Sequence, residues 1–218
     1  MIAVIQCAAT KRSDAGCFRD RQDRPVLFVA APSQAPAFDH HLYARPDDFA
    51  EGQASWRELL VQYNRTPGNN PFGLLPAIDI YENDVYRQLA AKVGRANTYI
   101  LSAGWGLIAA DFLIPAYDIT FSAAADVHKK RRRAEHYRDF SMLPPTNQPV
   151  LFFGGKDYVP LFCELTKHTG GPRSVIFNSA RPPAAPGCLL RRFDTSTRTN
   201  WHYECVRAFV AGILPTFG

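Results

Sequence analysis

The chain has 218 residues, enough for one sizeable core, and its 46% hydrophobic and 21% charged residues are the proportions of a folded rather than a disordered protein. No run approaches the roughly 20 apolar residues that span a bilayer, so no membrane partner is expected, and Met1–Ile5 reads as a strand rather than a signal peptide. The formal charge of +5 comes from 25 Lys and Arg against 20 Asp and Glu, and the 5 cysteines form no C-x-x-C pair, which argues against a disulfide framework or a zinc site and for reduced thiols in the cytoplasm.

Along the chain, Ile2–Gln6 is a β-branched strand that ends in a small, polar loop, Cys7–Arg12. Val26–Ala31 reads as a second strand. Residues 32–76 are rich in Pro, Gly, Asn and Asp, a long irregular insertion of the functional kind. Within it, a helix over Ser55–Tyr63 is opened by a capping box of Ser55 and Glu58. Val85, Leu89 and Val93 recur at spacing four and predict a helix over Tyr81–Val93, stopped by Gly94. Thr98–Ser102 is a strand that leaves through the turn Ala103-Gly104-Trp105-Gly106. A helix from Ser122 or Ala123 to Phe140 is expected to carry the basic block. Val150–Phe153 is a buried strand ending in Gly154-Gly155-Lys156, followed by a helix over Tyr158–Thr169. Ser174–Phe177 is a further strand, and a helix over Trp201–Leu214 closes the chain.

Strands alternating with helices predict a single α/β domain over residues 1–218, a three-layer α/β/α arrangement with a mostly parallel central sheet. Ligands of such sheets lie outside the carboxyl ends of the strands. Those ends are expected at Cys7–Arg12, Ala103–Asp111, Gly154–Asp157 and Asn178–Pro183.

The segment Tyr99–Phe121 is the richest in chemistry. It brings Ser102, Trp105, Asp111, Tyr117 and Asp118 into a short stretch, with Asp111 and Asp118 as the candidate catalytic carboxylates. Two basic groups offer a phosphate-binding surface: Lys129, Lys130, Arg131, Arg132 and Arg133 in one block, and Arg181, Arg191, Arg192 and Arg198 in the C-terminal quarter. Lys11 and Lys156, in strand-end loops, add to it. The six histidines match no metal-binding spacing and no G-x-S-x-G elbow is present, so neither a metal nor another cofactor is expected.

Ile78-Asp79-Ile80-Tyr81-Glu82-Asn83-Asp84-Val85-Tyr86, Ile100-Leu101-Ser102, Gly104, Gly106-Leu107 and Ile114-Pro115-x-Tyr117 resemble, in order and spacing, segments of the YaaA-like peroxide stress protein family. Ile5-Gln6-Cys7-Ala8-Ala9-Thr10-Lys11 resembles that family's opening strand. The resemblance implies DNA binding. Ser174–Phe177, the loop Asn178–Pro183, Phe193 and Thr199-Asn200 before a helix are similar to the closing part of the uracil-DNA glycosylase superfamily, and Pro67–Leu75 to one of its earlier segments. That second resemblance, which extends to bacterial anti-phage DNA glycosylases, implies a uracil-DNA-glycosylase-like fold. Its chemistry flips a base out of DNA, here with Asn69, Asn70, Phe72, Ser102, Trp105, Tyr117 and Asn178 as the base pocket. The expectation is a DNA N-glycosylase acting on modified or damaged bases in double-stranded DNA, with the oligomeric state open. The alternatives are a non-catalytic YaaA-like DNA-binding protein and a nucleoside N-glycosidase or deoxyribosyltransferase.

Overall fold

Ile2–Gln6 and Val150–Phe153 are apolar on both faces, and strands of that kind need cover on both sides. The computed structural model describes residues 1–37, 40–50, 52–66, 68–132 and 134–214, so that Pro67 and Arg133 lie outside the described residues. In chain order its elements are β1 (Ile2–Gln6), β2 (Val26–Val29), β3 (Leu42–Ala44), α1 (Trp56–Asn64), β4 (Leu75–Pro76), α2 (Val85–Val93), β5 (Thr98–Ser102) and β6 (Gly106–Ala109). There follow β7 (Leu113–Ile114), β8 (Tyr117–Asp118), β9 (Phe140–Ser141), β10 (Val150–Phe153), α3 (Val159–Leu165), β11 (Arg173–Phe177), β12 (Cys188–Arg192) and α4 (Trp201–Val210).

The central sheet has 7 strands in the order β12-β11-β10-β1-β5-β6-β9. Neighbours from β12 to β5 are parallel, β6 turns back antiparallel to β5, and β9 runs parallel to β6. Numbered as the chain meets them, the parallel strands lie in the order 2-1-3-4-5, so the winding reverses between β1 and β10. Adjacent residues of a strand point to opposite faces. Phe152 stacks on Phe162 of α3 at 4.8 Å between ring centroids, and Phe153 meets Phe209 of α4 at 5.3 Å. The two helices therefore cover opposite faces, and α2 joins α4 through Tyr86 and Tyr203. Cys163 Sγ and Cys188 Sγ approach to 3.7 Å between α3 and β12, and all five cysteines are free.

The insertion at 32–76 is less irregular than expected. It carries α1, with the expected reciprocal capping box, and supplies β3 to a small sheet of order β3-β2-β8. Phe28 of β2 packs on Trp56 at 5.9 Å and on Trp105 at 5.1 Å, and Phe18 extends the cluster to Tyr63 and Phe72. This aromatic group, a second apolar centre only in position since it is continuous with the core of the main sheet, surrounds the turn after β5.

Two buried arginines hold that turn. Arg57 donates to the carbonyls of Trp105 (3.0 Å) and Gly104 (2.9 Å), and Arg131 to that of Ala103 (2.8 Å). Asp47 accepts from Arg57 Nε at 2.6 Å, while Asp139 takes both Arg131 nitrogens at 2.9 and 2.6 Å. This arrangement corrects two expectations. The helix expected from Ser122 or Ala123 to Phe140 does not form: a 3-10 turn at Val127–Lys129 leads into an extended stretch where Arg131 N–H donates to the Thr120 carbonyl. On a helix Lys129 would face Arg132 and Arg133, three and four residues on, as repelling like charges, whereas Arg131 finds its partners inside the molecule. Arg131 is accordingly an interior group rather than part of a DNA-facing surface.

Burial raises the Asp139 carboxyl above its usual range despite the arginine beside it. Arg131→Met would strand that carboxylate, and we expect a loss of about 3–5 kcal/mol in urea unfolding at neutral pH. A raised folded pKa favours the protonated form, so the penalty should shrink as pH falls through it. A loss that does not change with pH would contradict this assignment.

Candidate functional site

The carboxyl ends of β1 and β10 diverge where the winding reverses, the place at which open α/β sheets leave a crevice. Gln6 fastens the two ends: its Oε1 accepts from Gly155 N–H at 2.6 Å, and its carbonyl accepts from the Tyr86 hydroxyl at 2.9 Å. Gly154 is required by packing, since a Cβ there would stand 2.2 Å from the Phe152 ring.

A cleft of about 460 Å³ opens at this junction. Its walls are Cys7 after β1, Thr120 after β8, Asp157 and Tyr158 after β10, and the run Arg198–Tyr203 that enters α4. The volume suits a nucleoside-sized ligand. Among the described residues that line it, Asp157 is the single carboxylate and Arg198 the single cation. Cys7 Sγ and the Tyr158 hydroxyl lie 3.3 Å apart, and burial, with Cys7 adding to it, raises the Tyr158 phenol well above its ordinary value. Tyr158 is therefore a neutral hydrogen-bonding group at neutral pH.

A larger cavity of about 650 Å³ lies on the other side of Asp157, against α3. Arg131 and Asp139 pair with each other in its wall, while Arg131 Nε and the Tyr137 hydroxyl find no hydrogen-bond partner among the described residues, and it lies along α3 rather than at the switch point. The switch-point cleft is the better candidate by its position at the carboxyl ends of the strands.

Behind the cleft runs a buried polar chain. The N–H groups of Gly104 (3.2 Å) and Trp105 (3.1 Å) donate to Ser102 Oγ, which donates to the Tyr117 hydroxyl at 2.9 Å, itself 2.8 Å from that of Tyr81. Burial keeps both phenols neutral. The Lys11 ammonium sits 4.2 Å from the Tyr117 ring centroid. Burial lowers its pKa, against the raising influence of Cys7 and Asp118.

The structure separates the two carboxylates singled out by sequence. Asp118 ends β8, with Lys129 at 3.0 Å, two residues before Thr120 of the cleft wall. Asp111 is at the other end of the sheet, ion-paired with Arg95 at 2.5 Å. The reason is β6: Gly106, at φ +90°, lets the chain fold back beside β5, and the Ala110 N–H reaches the carbonyl of Thr98 at the start of β5. Ala103–Asp111 is thus a hairpin and not one strand-end loop.

The proposed base pocket is scattered in the same way. Ser102, Trp105 and Tyr117 are buried and committed to the polar chain and the aromatic cluster, so none presents a face to a ligand. Asn69 and Asn70 are exposed, with Asn70 bonded to Leu74 and Tyr63, and Phe72 packs on Phe18. Asn178 is closer to the expected place: with Lys156, Asp157 and Arg198 it lines a smaller cavity that adjoins the cleft.

The cations divide into engaged and unengaged. Lys129 also bonds Asp126, Lys130 is half-buried beside Thr120, and Arg192 pairs with Asp194 at 2.9 Å. Arg132 is exposed and Arg191 half-buried. Lys11, Lys156, Arg181 and Arg198 make no ion pair with any described residue, and all four are on loops at the carboxyl edge. Sequence reasoning missed Asp157, Tyr158 and His202, and named Arg198 only as part of a basic group; the signal for them was the loop Gly154–Asp157 and the Thr199-Asn200 pair that opens α4. Among the described residues, no group of three His, Cys, Asp or Glu is placed to hold a metal ion, and no helix is long and apolar enough to cross a membrane. No family model, no curated protein and no solved structure matches the chain.

Tyr117→Phe removes the middle of the polar chain without opening a cavity. The Ser102 and Tyr81 hydroxyls then lose a buried partner, and chemical denaturation should register a loss of about 1–3 kcal/mol. A change under about 0.5 kcal/mol, as at an ordinary surface position, would show that the chain does not support the site.

Proposed function

We propose that the protein is a DNA N-glycosylase of uracil-DNA-glycosylase-like architecture, drawing one modified or damaged nucleotide out of a duplex into the cleft between β1 and β10. The observation that carries this reading is the convergence of one carboxylate, a neutral phenol and a cation that pairs with no described residue in a single cleft at the switch point. Extruding a base costs a few kcal/mol, which phosphate contacts must offset. Lys11, Lys156, Arg181 and Arg198 are the residues we assign to that task.

In the reaction, the electron pair of the glycosidic bond leaves with the base, and water adds to the sugar carbon. The base takes up a proton in exchange for the one that water loses. Asp157 stabilises the cationic sugar or orients the water, and Asp118, two residues before Thr120 of the cleft wall, is the second candidate carboxylate. Tyr158 and Asn178 can donate hydrogen bonds to the departing base. The resemblances to YaaA-like proteins and to anti-phage DNA glycosylases fit this reading, with phage-modified cytosine as one candidate base.

One observation favours a second reading. Much of the basic block is engaged internally, by Asp118, Asp126 and Asp139, which leaves a small cationic rim. A nucleoside N-glycosidase or deoxyribosyltransferase acting on free nucleosides would need no more.

Incubation with unmodified, uracil-containing and modified-cytosine duplexes, followed by alkali, separates the readings. At least one duplex should break. Asp157→Asn should slow that reaction about 10²–10⁴-fold, the usual range for a general acid or base, while Asp111→Asn leaves it unchanged. Base release from nucleosides alone would select the second reading, and binding without breaks a YaaA-like DNA-binding protein. Full activity in both Asp157→Asn and Asp118→Asn would overturn the assignment of carboxylates.

A further inference from the structure

We infer that the amino end of α4 is a phosphate subsite within the switch-point cleft, and that Arg198 and His202 serve it. The inference rests on the reading of the cleft as a nucleotide site, and it names the part of the nucleotide held there.

The amino end of a helix presents N–H groups and a partial positive charge, a combination that attracts anions. In α4, ten residues long, no side chain caps the first turn, and Asn200 before it holds a left-handed φ of 57°. The acidic group of that turn, Glu204, is bonded to the hydroxyls of Thr195 and Thr197. Asn200, Trp201, His202 and Tyr203 all line the cleft, so the open end of the helix faces it.

His202 supplies an independent sign. It is only 2% exposed, yet its Nε2 has no hydrogen-bond partner among the described residues. Buried polar atoms are rarely left so, and an orphan among cleft-lining groups marks the place of a missing partner. Burial pushes His202 down to about 4, so the ring is neutral at physiological pH. In the tautomer with its proton on Nε2 it donates a hydrogen bond to a phosphate oxygen. Arg198 adds a guanidinium that pairs with no described carboxylate and reaches both the cleft and the neighbouring cavity with Lys156. Arg198 and the helix end share one wall, whereas Asp157, the only carboxylate among the described lining residues, comes from the loop after β10, so phosphate and sugar can be held by different groups.

The test is calorimetric titration of the whole protein with inorganic phosphate, a deoxynucleoside, its 5′-monophosphate and a short oligonucleotide, with the His202 imidazole followed by NMR. The monophosphate or the oligonucleotide should bind about tenfold or more tightly than the nucleoside, as expected for charge-assisted hydrogen bonds. Binding should move the His202 resonances and leave those of His168 in place. Whichever of the two phosphate-bearing ligands responds identifies a free nucleotide or a DNA phosphate as the source. Arg198→Gln, at an exposed position, should reduce the preference about tenfold, and His202→Leu should do the same if it folds. Asp157→Asn should keep the phosphate preference, so loss of base excision and loss of this subsite are told apart. Equal binding of nucleoside and nucleotides, or unmoved His202 resonances in the wild-type protein, would overturn the inference.

Discussion

The turn Ala103-Gly104-Trp105 depends on two guanidinium groups that the chain has taken out of water. Burying such a charge is tolerable only where carboxylates and hydrogen-bond acceptors receive it. Arg57 and Arg131 meet that condition together: each is paired with an aspartate, and between them they occupy the carbonyls of all three turn residues. The amides of Gly104 and Trp105 point to Ser102 instead. With the polar groups of the turn shared out in this way, the chain reverses into β6, Trp105 fills the second apolar centre, and Tyr117 is fixed between Ser102 and Tyr81. The Lys11 ammonium then rests on the Tyr117 ring. A constraint that looks purely structural thus sets the back wall of the candidate site.

The same constraint redistributes charge. A block that reads as one cationic surface is divided among Asp118, Asp126, Asp139 and solvent. The cations that pair with no described residue lie elsewhere, on loops that the parallel strands bring to one edge. There the Gln6–Gly155 bond holds the two central strand ends together, and the cleft beside it collects Asp157, Tyr158, Arg198 and His202 from segments far apart in sequence. A carboxylate on one wall and an open helix end on another form the arrangement a nucleotide would need.

Much of the frame was legible before any coordinates. Ile2–Gln6, Thr98–Ser102 and Val150–Phe153 are strands to the residue, because short β-branched and apolar runs bounded by polar loops have few alternatives. The Ser55–Glu58 capping box was readable for the same local reason. What failed was non-local. Nothing within residues 122–140 reveals that Arg131 has Asp139 and a turn carbonyl waiting inside the protein. Nor does Tyr99–Phe121 reveal that a hairpin carries Asp111 away from Asp118. β12 was missed because Leu189 and Leu190 sit on an exposed edge and lack the pattern of a buried strand. The cleft residues come from four loops, and only the sheet order tells which of those loops meet.

The most direct measurement is a crystal structure of the Asp157→Asn protein with a deoxynucleoside monophosphate or a short oligonucleotide bound. The account predicts a nucleotide between the carboxyl ends of β1 and β10, its phosphate against the first turn of α4 and its sugar beside residue 157. A nucleotide seated in the cavity against α3, or on the exposed face of β12 with the cleft empty, would contradict it.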